Sequence, residues 1–202
     1  MYIRVRRHLF ANLKYTYMKL ALIASLLLLT FSVLAQDKIN YIHYNKLIDI
    51  KGTDYVVATV SNYGKGFSSQ GKYLLFINTE TGESQQADFP KDSYTDQIEQ
   101  VKIDKPSLNV VVVSANTVDL DGKHGIDWND PKQVIVFSPD GKQRTKITDD
   151  KFFVQAWTAN NKTGRVVITG HYDTNGNGKY DKTDKSEIMI YDLISMKVVS
   201  KF

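Results

Sequence analysis

Beyond residue 40 the apolar residues fall in short β-branched and aromatic runs of about five, divided by polar, glycine-bearing stretches. The clearest runs are Tyr55-Val-Val-Ala-Thr-Val60, Tyr73-Leu-Leu-Phe-Ile77, Val110-Val-Val-Val-Ser114, Gln133-Val-Ile-Val-Phe137, Arg165-Val-Val-Ile-Thr169 and Glu187-Ile-Met-Ile-Tyr191. Such side chains fit a pleated, half-buried surface, and turn-forming residues bound each run, so each predicts a strand. No stretch after residue 36 holds an apolar period of 3.6 residues long enough for a helix. The expected fold class is all-β.

Laid over one another, the runs form three units. In each, a first strand (47–50, 98–103, 153–158) turns into a second (55–60, 110–114, 165–169), and a long polar loop leads to a third. Each third strand ends in a turn (78–82, 138–141, 192–195), and a weaker fourth run follows, as at Lys197-Val-Val-Ser-Lys201. The units recur every 54 to 60 residues, with bounds near 37–82, 83–141 and 142–202. Four short antiparallel strands per period is the sequence form of a propeller blade.

In the third unit Trp157-Thr-Ala-Asn160, a turn at Lys162-Thr-Gly164, the apolar strand at 165–169, an acidic loop and Ile188-Met-Ile-Tyr191-Asp192 follow in order. That order resembles the blade repeat of TolB-like and other WD-type β-propellers, over residues 47–202. The Ser-Pro-Asp-Gly turn usual before the second strand of such repeats is replaced by Asn160-Asn-Lys-Thr-Gly164 and by Lys105-Pro-Ser-Leu-Asn109. The resemblance implies blades stacked side by side. Propellers have about four to eight blades and this chain supplies three, so three outcomes are open: an open ring, a homodimer completing six blades, or a fragment of a longer ancestor.

The N-terminus sets the expected compartment. Met18-Lys19 is a short basic start, 20–31 is apolar, and Val33-Leu34-Ala35 suits signal-peptide cleavage before Gln36. Met18 is the expected initiator, and residues 1–35 the leader of a periplasmic or secreted protein. The apolar run falls short of the roughly 20 residues needed to span a bilayer, so no stable membrane span is expected after cleavage. Of the chain's 26 Lys/Arg, five lie in the leader, which has no Asp or Glu; 21 then face 22 acids in the remaining 167 residues. The sequence pI near 9.0 thus belongs to the leader, and a nucleic-acid partner is not expected. With no cysteine, disulfides, thiol catalysis, cysteine-zinc sites and lipoprotein anchoring are excluded. One domain, 36–202, is expected.

The chemistry concentrates in Asp173-Thr-Asn175-Gly-Asn177-Gly178-Lys179-Tyr-Asp181-Lys-Thr-Asp184, which sets oxygen side chains at loop positions 1, 3, 5, 9 and 12 with glycine at position 6. Calcium takes six to eight oxygens, and alternate inward side chains with a sharp mid-loop turn supply them. Asp173, Asn175 and Asn177 would give the first ligands, Lys179 a backbone carbonyl, Asp181 a direct or water-mediated contact, and Asp184 the closure. The alternation resembles dockerin-type calcium loops, which also close on aspartate. Weak affinity for Ca²⁺, on the order of 10⁻⁴ to 10⁻³ M, is expected. A plain Asn/Gly/Asp turn joining two strands is the competing reading.

Fifty-four residues earlier the same frame recurs at Asp119, Asp121, Asp127 and Asp130, with Lys123 at position 5 and His124 at position 6. Three readings stand open: the Lys123 ammonium replaces a metal among the acids, a distorted second calcium site forms, or the loop is merely solvated. The corresponding stretch of the first unit, 61–71, has no acid and should bind no ion.

Other motifs are weaker. Gly66-Phe-Ser-Ser-Gln-Gly71-Lys72 misses a phosphate loop because Tyr73 stands where Ser or Thr must be and a strand follows. His43, His124 and His171 share no metal spacing, and His171 is expected as a satisfied rim histidine rather than half of a His/Asp pair. Trp157 is expected in the core. Trp128, if exposed, suits stacking on a sugar or partner side chain, and Tyr41, Tyr44, Tyr55, Tyr63 and Tyr73 are explained by sheet packing or by a binding face. No triad or carboxylate dyad is recognisable, so the leading expectation is a non-enzymatic binding or assembly module with a protein or glycan partner. The alternative is an exported calcium-dependent hydrolase or lyase acting on polysaccharide through acids such as Asp127 or Asp181.

Overall fold

The computed structural model describes residues 42–63 and 69–202. The leader, Met18, the cleavage point at Gln36, Tyr41 and residues 64–68 of the glycine-rich stretch lie outside the described residues, as does the side chain of Tyr63.

Among the described residues there is no helix. Twelve strands follow in chain order: β1 Ile42–Asp49, β2 Tyr55–Tyr63, β3 Ser69–Asn78, β4 Ser84–Asp88, β5 Tyr94–Ile103, β6 Leu108–Asn116, β7 Lys132–Phe137, β8 Arg144–Lys146, β9 Phe152–Asn160, β10 Arg165–Tyr172, β11 Lys185–Asp192 and β12 Lys197–Lys201. They form three four-stranded antiparallel sheets, each a simple meander: β1-β2-β3-β4, β5-β6-β7-β8 and β9-β10-β11-β12. The fold is all-β and its sheets are propeller-like blades that do not close into a ring. The strand after each turn folds back on the sheet that the turn terminates, so the sheets end at Asp88, Lys146 and Lys201, a few residues beyond the 82 and 141 read from the sequence.

Strand register repeats from blade to blade. Val57 faces Phe76 and Thr59 faces Leu74 in the first; Val112 faces Val136 and Ser114 faces Val134 in the second; Val167 faces Ile190 and Thr169 faces Ile188 in the third. Because side chains alternate across a strand, the residues between them point the other way: Ala58 with Leu75, Val113 with Ile135, Ile168 with Met189. The central strands of the second blade are apolar on both faces because a sheet packs on either side of it. This explains near-continuous runs such as Val110–Val113 in place of strict alternation.

Two cores result. The first and second blades enclose Val57, Leu74, Phe76, Phe89, Val111, Val113, Ile135 and Phe137. The second and third enclose Val112, Val134, Val136, Phe152, Trp157, Val166, Ile168, Met189 and Tyr191. The Phe76 and Phe137 rings sit 5.8 Å apart, and Phe89 meets Phe137 edge-on at 6.2 Å. Each fully buried side chain of this size contributes roughly 1.5–3 kcal/mol. The turn between β7 and β8 holds Gly141 at φ 72°, where any Cβ would enter the Phe76 ring. Trp157 is buried, as expected.

Candidate metal-binding loops

The two acidic loops occupy the same place in adjacent blades: 117–131 joins β6 to β7, and 173–184 joins β10 to β11. They share a hydrogen-bond frame. The Asp130 carboxylate at position 12 accepts from the backbone N–H of Leu120 and of Asp127, both at 2.8 Å. Its counterpart Asp184 accepts from the N–H of Thr174 at 2.9 Å and of Asp181 at 2.8 Å, the same positions 2 and 9. At position 9, Asp127 accepts the Asn129 N–H at 2.7 Å and Asp181 that of Thr183 at 2.8 Å. At position 3, Asp121 accepts the Lys123 N–H at 2.8 Å and Asn175 that of Asn177 at 3.0 Å. Carboxylates that accept backbone N–H groups fix a loop's shape as well as its charge.

Positive φ recurs too. Gly122 and Gly176 at position 4 have φ 66° and 70°; at position 6 Gly178 has φ 72° and His124 has φ 65°. The second-blade loop therefore keeps the left-handed turn although a histidine stands where glycine is expected. The loops also touch, since a Cβ on Gly178 would lie 2.8 Å from the Cβ of Asp121. Sequence reading missed this contact, which joins residues 57 positions apart; the shared position-4 glycines were the available sign of a repeated loop geometry.

The two loops arrange their acids differently. Carboxylate oxygens of Asp119, Asp121 and Asp130 lie within 4.8 Å of one another, and this is the one such group of three among the described residues. Asp119 is exposed and Asp130 buried. Asp127 stays outside the group, engaged with Asn129. Lys123 does not sit among the acids. It is exposed, and its Nζ reaches Asp121 at 3.9 Å.

In the third-blade loop, the buried Asp173 accepts the N–H of Asn177 at 3.0 Å and of Gly178 at 2.8 Å. Asn177 Oδ1 accepts the Lys179 N–H at 2.8 Å. Asp181 accepts from the Thr183 hydroxyl, and from Asn175 Nδ2 and Asn177 Nδ2 at 2.8 and 2.7 Å. The Thr183 hydroxyl and amide, with the two Asn amides, hold the Asp181 carboxyl well below the usual carboxylate range. Amide donation from Asp181 and Thr174 lowers Asp184 likewise. Both stay ionised at any pH near neutral, as a hard-cation ligand must.

At the base of this loop His171 is 4% exposed, stacked on Phe153 at 4.8 Å and 11° and met by Tyr180 at 4.1 Å. Neither ring nitrogen has a hydrogen-bond partner. The expected satisfied rim histidine is thus corrected: His171 is a packing residue, and no His171–Asp173 hydrogen bond forms. Burial pushes its imidazole down, against the opposing pull of Asp184 and Asp173. Trp128, at position 10 of the second-blade loop, is 83% exposed. Tyr44 is also exposed, while Tyr55 and Tyr73 are half-buried in the first blade.

Sheets and loops together define an all-β protein of three propeller-like blades with paired, equivalently placed acidic loops. No family model matches the chain, and no curated protein matches it. Among solved structures, 80% of the chain is similar to an acylaminoacyl peptidase from Pyrococcus horikoshii in an orthorhombic crystal form, at 10% identity and a TM-score of 0.46. This chain spans 25% of that one.

Proposed function

We propose that the chain is an exported, calcium-binding module that serves binding or assembly rather than catalysis, its blades related to TolB-like, WD-type repeats and its loops to the dockerin type. The supporting observation is the repeated loop frame, in which Asp119, Asp121 and Asp130 converge to within 4.8 Å in one copy. Three carboxylates so close repel one another unless a counter-charge joins them, and Lys123 lies at their margin. In the third-blade loop the ligands are Asp173, Asn175, Asn177, the Lys179 carbonyl, Asp181 and Asp184; in the second they are Asp119, Asp121 and Asp130, with Asp127 through water. Each ion ties the β-strands that flank its loop, and the Gly178–Asp121 contact braces one loop against the other. Affinity is of extracellular grade, on the order of 10⁻⁴ to 10⁻³ M.

The test is a calcium titration read by melting temperature. At about 10 mM ion such affinities add about 1.4 to 2.7 kcal/mol. No shift at that concentration, or an equal shift with magnesium, would sink the reading. The exposure of Trp128 beside the acids supports a second reading, a glycan-directed hydrolase or lyase using Asp127 or Asp181. Calcium-dependent release of oligosaccharide, lost in Asp127→Asn or Asp181→Asn, distinguishes it.

A further inference from the structure

The outer faces of the first and third described blades are halves of the same kind of contact that joins the blades within the chain. Wherever two blades meet within the chain, one presents the face carrying Leu74 and Phe76, or Val134 and Val136, and the next presents the face carrying Ile135 and Phe137, or Met189 and Tyr191. All of these are buried. The third blade carries Ile188, Ile190 and Val167 at the register positions of the first set, on its outer face. Ile188 is 43% exposed and the other two are half-buried. The first blade carries Leu75, Ile77 and Val56 at the register positions of the second set, and these too are only half-buried. Apolar residues thus continue the interface pattern on the outer faces of the first and third described blades.

We infer that a second copy of this chain docks head to tail, the β9–β12 blade of each copy packing on the β1–β4 blade of the other, to make a ring of six blades. Each outer face matches, in register, the face that the chain itself offers on its opposite side. A second copy supplies both faces at once, in a contact continuous with the two already formed inside the chain. Six blades also falls within the usual range of about four to eight. The contact is heterologous, so Ile190 of one copy meets the first blade of its neighbour and never another Ile190.

Sedimentation and light scattering of the purified chain, in chelator and again in calcium, should give a particle of twice the chain mass in both conditions. Ile190→Lys or Ile77→Glu should each weaken the pair at least about tenfold by stranding a charge in an apolar contact, with the sheet circular dichroism unchanged. Mixing the two variants should restore the pair. The chain has no cysteine, so a second experiment is clean: Ile190→Cys and Ile77→Cys proteins should form a disulfide when mixed and not when alone. A particle of single-chain mass at about 100 µM overturns the inference, because a pair too weak to form there is not a specific assembly. Self-crosslinking of either cysteine variant, or a dimer indifferent to both charges, overturns it equally.

Discussion

His124 and Gly178 stand at the same loop position with φ of 65° and 72°, yet only one of them is suited to it. A side-chain-bearing residue in the left-handed region costs about 1–2 kcal/mol, so His124→Gly should stabilise the protein by about 1 kcal/mol in denaturant titration. The reverse change is worse than its backbone cost. Gly178→Ala would add that penalty and drive a methyl to 2.8 Å from Asp121 Cβ, so a loss of about 2 kcal/mol or more is expected, with calcium response impaired in both loops. Lys123 is the residue whose role the sequence left most open. Since its ammonium lies at 3.9 Å from Asp121, Lys123→Asn should strengthen ion binding at the second-blade loop, read by calorimetry as a tighter second site at unchanged stoichiometry.

At the scale of elements, the strands were legible because their signal is local. Runs such as Val110–Val113 and Ile188–Tyr191 are β-branched or aromatic and lie between turn formers, and each sits inside a strand. Ends were less legible: β1 begins at Ile42 rather than 47, and β8 is the three-residue Arg144–Lys146, because hydrogen bonding to a neighbour, and not composition, decides where such segments stop. The loop frame was readable as a spacing. Convergence of Asp119, Asp121 and Asp130, and the contact of Gly178 with Asp121, were not, since both depend on how adjacent blades meet. His171 shows the same limit, its buried ring lying against both Phe153 and Tyr180. Its lowered pKa carries a signed prediction. The buried neutral imidazole contributes stability in full above its ordinary value of 6.5, and that stability declines as pH falls below it toward the depressed folded value. Asp181 and Asp184, also depressed, keep their contribution until pH falls below 3.8 and through their folded values. Denaturation midpoints taken stepwise in pH should therefore fall in two stages, and His171→Phe should flatten the first alone.

For the molecule as a whole, the second blade is the keystone, since both cores lie on its faces. Phe137→Ala should cost about 3–5 kcal/mol, because its ring meets both Phe76 and Phe89 between the first two blades. The meander order has a consequence in time as well as in space. Every ladder joins strands that are consecutive in the chain, so no strand waits for a distant partner. A polypeptide threaded end-first through a narrow channel can zip each sheet as soon as its fourth strand emerges, while later segments are still unfolded. Local pairing of this kind keeps contact order low, and vectorial growth shortens the interval in which bare strand margins meet other nascent chains.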